Sequence, residues 1–372
     1  MDMKDLDDPA LLESTDKSGM LGLVASFPDL LTEGLEYGWT VEPKESWKIP
    51  SNVLIVGYGG SAISGDILRN WLSSRTTAPI EVCRDLELPA YASKETLAIC
   101  VSYSGETAES LRLLDASIKR GCNVVTITSG GFMSELSRKL NLPLIKVKAG
   151  LPPRAALPLL LSSSTIALTT FNVISDARKE VVETARELQV QTTELKPSVN
   201  SQLNKSKRLA QKLVNTIPTI YSLERMSSVA RRFKDQLNEN SKMPAKFDLI
   251  PEACHNEIQG WSPEWLSRQP SSAFPVMLVR DSRESDLEFS RIEMIKEQLI
   301  SAGLIHIHEM RTQAKTELGR LLLPINLGDF VSVYLALARG LDPTPVPSIE
   351  ELKRRVESRT HEKSRLKSSL LS

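Results

Sequence analysis

The sequence predicts an α/β protein of two domains, each a parallel sheet with helices on both faces. Three observations carry that expectation. The chain has 372 residues, and a single hydrophobic core rarely grows past roughly 250 residues. Short apolar runs of strand length alternate with helical patterns, which calls for right-handed crossovers and parallel pairing. The order of elements in the second half resembles that in the first, so an internal duplication is expected.

Taken in order, Val53-Leu54-Ile55-Val56 is a buried-strand run that ends in glycines and leads into a helix from Ile63 to Leu72. Ile80 to Cys83 and Leu97 to Val101 are the next strands, and Leu111, Leu114 and Ile118 then recur at helical spacing. The strand Val124 to Ile127, a helix around Met133 to Leu140 and the strand Leu144 to Val147 complete a first domain, residues 1–175. Residues 176–207 are charged and polar and are expected to form a helical connection. The second domain, 208–356, has strands at Thr219 to Ser222, Val276 to Val279 and Ile305 to His308. Between the first two lies a helix with Val229, Phe233 and Leu237 at four-residue spacing. The segment 357–372 is charged and serine-rich with little apolar periodicity, and is expected to be a mobile tail.

Composition narrows the function. Hydrophobic residues make up 41% and charged residues 25%, which excludes a disordered or fibrous chain. Lys plus Arg and Asp plus Glu both total 46, so the basic excess of a nucleic-acid binder is missing, and aromatics at 5% offer little base-stacking surface. The cysteines, Cys83, Cys100, Cys122 and Cys254, form no CxxC pair and no zinc-like spacing, so no metal is expected and a reducing cytoplasm fits. The acidic N-terminus lacks the pattern of a signal peptide. Ala155 to Ser175 carries no charge over nearly a bilayer's span, but Pro158, Asn172 and the run Ser162 to Thr165 mark it as a helix buried in protein. No membrane partner is expected.

Two loops carry the chemistry. Gly57-Tyr58-Gly59-Gly60-Ser61 stands where a strand gives way to a helix, where glycines let backbone approach an anion and the helix start offers free N–H groups. Gly57-x-Gly59-x-x-Ala62 also matches a dinucleotide fingerprint, with Asp85 past the next strand, so an NAD-dependent dehydrogenase stands as a rival. The loop Ser102-Tyr103-Ser104-Gly105-Glu106-Thr107 tips the balance: three hydroxyls and several amides at one helix start suit a terminal phosphate, with Thr107 placed to cap that helix. The corresponding second-half loop, Arg280-Asp281-Ser282-Arg283-Glu284-Ser285, is charged and bulky, so only the first half is expected to bind such a ligand.

These loops resemble the phosphosugar-binding signature of sugar isomerase (SIS) domains. Four further segments are similar to the bifunctional phosphoglucose/phosphomannose isomerases: Leu151-Pro152-Pro153-Arg154-Ala155, Asn238-Glu239-Asn240-Ser241-Lys242, Pro251-Glu252-x-x-His255-Asn256-Glu257 and Leu327 to Ala336. Asp342-Pro343-Thr344-Pro345 and Glu350-Glu351-Leu352-Lys353 extend the likeness, which covers roughly residues 20 to 356. The resemblance implies two SIS-type, three-layer αβα domains and a cofactor-free aldose–ketose isomerase. Its substrates would be glucose 6-phosphate and fructose 6-phosphate, and mannose 6-phosphate as well. Gly59, Gly60, Ser61, Ser102, Ser104 and Thr107 would bind the substrate. Glu239 would be the base of a cis-enediol mechanism. His255 would open the sugar ring and reach the partner's site in an obligatory homodimer. Arg154 would stabilise the enediolate. The ring-opening lysine falls at Lys353, with Lys315 as the weaker alternative. Lys353 is placed on a helix capped by Ser348, with Ile349, Leu352 and Val356 as its buried stripe. A Gln or Thr expected two turns before that lysine falls at Val346, or at Thr344 in a shifted register. A phosphosugar-sensing SIS module without catalysis would share the hydroxyl loops but would not need Glu239, His255 and Arg154 together.

Overall fold

A computed structural model describes residues 3–43, 47, 49–270 and 272–371. Met1, Asp2 and Ser372, which the readings of the two chain ends included, lie outside them. The chain forms two compact units, the first made of 27–185 with 346–372 and the second of 1–26 with 186–345. The boundary falls inside the helix Arg178–Leu195, and neither unit is the contiguous block expected from the sequence.

The first unit is built on six strands, β1 (Trp39–Val41), β2 (Asn52–Val56), β3 (Ile80–Cys83), β4 (Thr96–Val101), β5 (Asn123–Thr128) and β6 (Leu144–Lys146), in the order β1-β6-β5-β4-β2-β3. Strands β2 to β6 pair in parallel, with Val56 opposite Cys100 and Cys100 opposite Thr126. All of β4 and nearly all of β2 and β5 are buried, as befits strands covered on both faces, and such strands read as continuous apolar runs. Strand β1, antiparallel to β6, was missed because three half-exposed residues carry no pattern. The charge-free stretch forms the helix Leu157–Thr170, buried in protein as expected, where Ser162 Oγ donates to the Leu31 carbonyl at 2.7 Å and Thr165 Oγ1 to the Leu161 carbonyl at 2.9 Å. Among the described residues one helix, Glu317–Ala338, is long and apolar enough to cross a membrane, and its apolar stretch is wholly buried in the protein.

The second unit holds a parallel sheet of β7 (Thr219–Leu223), β8 (Lys246–Ile250), β9 (Val276–Arg280) and β10 (Ile307–Arg311), ordered β10-β9-β7-β8. Strand β8 is an edge strand that exposes most of its residues in part and carries Asp248, so it shows no apolar run; β10 starts two residues later than expected. The N-terminus belongs here because Lys207, fully buried, donates to Asp7 Oδ1 at 2.9 Å and to the Pro197 carbonyl at 2.8 Å.

Apart from His361 between them, the described part of the segment expected as a mobile tail lies in the helices Pro347–Thr360 and Glu362–Leu371. Leu366 and Leu370 pack against the cluster that contains Leu111, Leu114, Phe132 and Met133. Two leucines four residues apart were too sparse a signal to predict this. The preceding helix starts at Pro347 with Val346 at its N-cap, not at a Ser348 cap. Its expected stripe is exposed, at 39% for Ile349, 64% for Leu352 and 47% for Val356.

Candidate active site

In the first sheet the chain passes outward from β2 to β3 and then returns to β2's other side to place β4, so the strand order reverses between β2 and β4. Ligands of open parallel sheets bind outside the carboxyl ends of the strands at such a reversal. The loops flanking it are Gly57–Ser61 and Ser102–Thr107, the two singled out in the sequence.

Each loop is shaped by close approach. A Cβ on Gly60 would lie 3.0 Å from the Pro153 carbonyl oxygen and 3.2 Å from Arg154 Cα. Glycine therefore lets the start of the helix Gly60–Leu72 lie against the 3₁₀ turn Pro153–Ala156, where Arg154 is buried. The N-cap of that helix is Gly59, with a positive φ (53°) and without a capping side chain. Thr107 takes the N-cap of the helix Ala108–Lys119, but its hydroxyl accepts from Ser102 Oγ at 3.4 Å and makes no capping bond to a helix amide. The expected side-chain cap is thus replaced by a hydroxyl pair, and no side chain caps either helix start, although in the first helix the Ser61 and Ala62 amides turn back on the carbonyls of Tyr58 at 3.2 Å and Gly59 at 3.1 Å. Amides left free at the positive end of a helix dipole are suited to an anion.

Tyr103 fastens the second loop. Its amide donates to Ser61 Oγ at 3.3 Å, which joins the two loops, and its hydroxyl donates to the Lys148 carbonyl at 3.0 Å and accepts from Leu151 N at 2.9 Å. Burial pushes its phenol up, so it keeps its proton. Ser129 Oγ donates to the Tyr103 carbonyl at 2.7 Å. A third loop, after β5, closes against the second at two glycines. A Cβ on Gly105 would sit 2.0 Å from the Gly130 oxygen, and one on Gly131 2.3 Å from the Ser104 oxygen. Tyr103, Gly130 and Gly131 were not singled out from sequence, although Ser129-Gly130-Gly131 after the strand Val124 to Ile127 repeats the strand–glycine–helix signal of the first loop. The dehydrogenase's acidic residue, Asp85, is exposed and turned on its own loop, its carboxylate accepting from Leu86 N at 2.6 Å.

The matching loop of the second unit is filled by its own charges. Arg280, with its side chain 1% exposed, pairs with Glu284 and Glu293 at 2.5 Å each. Glu284 accepts from Asp281 N at 3.0 Å, and Asp281 accepts from Arg283 N at 3.1 Å and from Arg225 Nε at 2.6 Å. Carboxylates of the chain itself take the amides that an anion would need.

Glu239 and His255 belong to the second unit. Glu239 ends the helix Ser227–Glu239 and is part-buried. That helix end is pinned to the helix Glu317–Ala338: Arg232 pairs with Asp329 at 2.8 Å, Asn240 Nδ2 donates to Ser332 Oγ at 2.9 Å and Ser241 Oγ to the Ser332 carbonyl at 2.6 Å. Lys242 Nζ donates to the carbonyls of Glu239 at 2.6 Å and Pro343 at 2.7 Å. Two of the quoted sequence segments are thus packed on one another. His255 is exposed at the end of the 3₁₀ turn Glu252–His255. The turn is held by Asn256 Nδ2 donating to Glu252 at 3.0 Å, and the next residue, Glu257, accepts from Tyr221 OH at 3.0 Å. Lys353 is exposed on the helix Pro347–Thr360 of the first unit. Lys315, in the second unit, is also exposed, its amide donating to Glu187 at 2.7 Å. Thr344 N donates to Asp342 at 3.0 Å.

A doubly covered parallel sheet with hydroxyl- and glycine-rich loops at its strand-order reversal is shared by many anion-binding α/β proteins, and sequence matches place this one among the SIS-domain proteins. Residues 49–147 match the SIS domain, and residues 202–356 match the bacterial phospho-glucose isomerase C-terminal SIS domain. The bifunctional phosphoglucose/phosphomannose isomerase of Caldicellulosiruptor bescii is 33% identical over 91% of this chain and 98% of its own length. Two solved structures share the fold. One is a glucose-6-phosphate isomerase like protein from Thermus thermophilus (18% identity, TM-score 0.60, covering 95% of this chain and 99% of that one). The other is the C-terminal domain of glucosamine-fructose-6-phosphate aminotransferase from Francisella tularensis (15% identity, TM-score 0.64, covering 88% and 98%). The chain belongs to the bifunctional phosphoglucose/phosphomannose isomerase family of SIS-domain phosphosugar isomerases.

Proposed function

We propose that this protein interconverts glucose 6-phosphate and fructose 6-phosphate, and mannose 6-phosphate as well, by moving a proton between C1 and C2 through a cis-enediol. The observation that carries the reading is the pair of uncapped helix starts flanking the β2/β4 reversal, with Arg154 against Gly60. Backbone at Gly59 and Gly60 and at the start of the second helix, with Ser61, Ser102, Ser104 and Thr107, binds the phosphate. Glu239 takes the proton from one carbon and returns it to the other. His255, reaching the site from the partner of a homodimer, moves a proton at the ring oxygen, and Lys353 assists ring opening. Arg154 supplies positive charge to the enediolate. One carbon is oxidised as its neighbour is reduced, so the reaction balances without a cofactor, in the cytoplasm. A coupled assay with each sugar phosphate tests this. Turnover is expected with both aldose phosphates and is lost in Glu239→Gln, which keeps phosphate binding. Retention of more than a few per cent of turnover removes Glu239 from the role, and phosphate binding without any turnover in the wild type leaves a sensor.

A further inference from the structure

Glu106 lies inside the proposed phosphate loop, between Gly105 and Thr107, where a carboxylate works against binding a dianion. Its charge is met by the C-terminal helix. Lys363 Nζ lies 2.5 Å and Lys367 Nζ 2.9 Å from Glu106 Oε2, and Lys367 also donates to Oε1 at 3.1 Å. The same Oε1 accepts from Phe132 N at 2.9 Å, in the first turn of the helix Gly131–Lys139. The carboxylate therefore bridges the second and third loops while both lysines neutralise it.

The helix that brings the lysines is seated by independent contacts. Leu366 and Leu370 pack on the apolar cluster, Lys367 Nζ lies 5.0 Å from the centre of the Phe132 ring, and Arg112 meets Glu362 at 3.3 Å. The joint before it is fixed by Glu357, which accepts from Lys363 N at 3.0 Å and Ser364 Oγ at 2.9 Å, just past His361 in a left-handed conformation (φ 51°). Burial pushes the Glu106 carboxyl up, but the two lysines and the Phe132 amide outweigh it and hold it at about 2, so it stays ionised and bound.

We infer that the C-terminal helix is a clamp on the anion loop: Lys363 and Lys367, by pairing with Glu106, hold Ser102–Thr107 in the conformation that accepts phosphate and cancel the one negative charge within it. The lysines are positioning residues, acting through Glu106. The inference rests on the phosphosugar reading of the loop but not on any turnover.

Two variants of the full chain and one shortened chain test it: Lys363→Ala with Lys367→Ala, Lys363→Arg with Lys367→Arg, and a chain stopped after Thr360. Calorimetry with inorganic phosphate gives Kd, and sugar-phosphate kinetics give KM and kcat. The alanine pair and the shortened chain are expected to raise Kd and KM about tenfold, the scale of two partly exposed ion pairs, with kcat within about twofold of wild type and the arginine pair restoring most of the loss. If the shortened chain fails to fold, the alanine pair decides. A wild type that binds phosphate without turning over any sugar ends the proposed reaction and leaves a tenfold change in Kd as support for the clamp. An unchanged phosphate Kd in the alanine pair overturns the clamp whatever the catalysis. So does a fall in kcat with KM unmoved, or a wild type that binds no phosphate.

Discussion

Gly105→Ala, compared with Gly59→Ala, separates two reasons for a glycine at the anion loops. Both residues have a positive φ, 66° at Gly105 and 53° at Gly59, and a side chain there costs about 1–2 kcal/mol. They differ in space. A Cβ at Gly59 meets nothing within 4 Å, whereas at Gly105 it would stand 2.0 Å from the Gly130 oxygen and 2.8 Å from Thr128 Oγ1. The Gly130 oxygen is backbone and cannot rotate away, so the third loop must shift, adding roughly 1–3 kcal/mol by analogy with overpacked cores. Gly105→Ala is therefore expected to lose about 2–5 kcal/mol against about 1–2 for Gly59→Ala. At about 2–4 °C per kcal/mol for a unit of this size, Gly105→Ala melts roughly 4–20 °C low and Gly59→Ala roughly 2–8 °C low. Thermal unfolding gives the stability and phosphate calorimetry the binding, which should weaken in Gly105→Ala because the displaced loop carries Ser104 and Thr107. Equal melting temperatures for the two variants, with equal phosphate affinity, would show that the loops are not interlocked and refute the steric argument.

Ser104→Ala and Thr107→Ala are each expected to raise KM with little change in kcat, since phosphate is held alike in ground and transition states. A lost hydrogen bond to a charged group is worth about 1.5–3 kcal/mol, roughly 10- to 150-fold, and unchanged KM in both places the phosphate elsewhere. One site is expected to handle both C2 epimers, with kcat/KM values within roughly a hundredfold, about 2.7 kcal/mol. Thr344→Gln should suppress the mannose 6-phosphate reaction selectively, and equal losses for both sugars would remove Thr344 from C2. The Glu106 carboxyl, raised by burial but lowered further by its lysines, moves from the usual 4.5 to about 2. The folded state thus binds fewer protons than the unfolded state, and the pair's contribution is complete above about pH 5 and is lost as pH falls from 4.5 toward 2. Urea denaturation should show the gap between wild type and the Lys363/Lys367 alanine pair constant from about pH 7 to 5 and closing toward about pH 2; a gap that widens in acid contradicts the ion pairs.

Five of the six strands of the first sheet, and both loops at its strand-order reversal, were legible because each is a local pattern. A doubly covered strand is a continuous apolar run, and a strand followed by glycine or hydroxyl residues and a helical period marks the place where backbone amides become available. Glu239 and His255 were named through family resemblance; burial and spacing alone would have left a helix-end glutamate and an exposed histidine. The edge strands β1 and β8 were missed because partial exposure dilutes the alternation that signals a strand. Other features depended on residues far apart in the chain. Gly105 meets Gly130, Glu106 meets Lys363 and Lys367, and Asn240 meets Ser332. The same dependence turned the expected tail into a docked helix, brought the N-terminus into the second unit and left Ile349, Leu352 and Val356 exposed. Local sequence sets which conformations each segment prefers. Which charges are neutralised, which glycines are obligatory and which apolar faces are covered depends on the neighbours that the closed fold brings within a few ångströms, and those neighbours leave no periodic mark on the residues themselves.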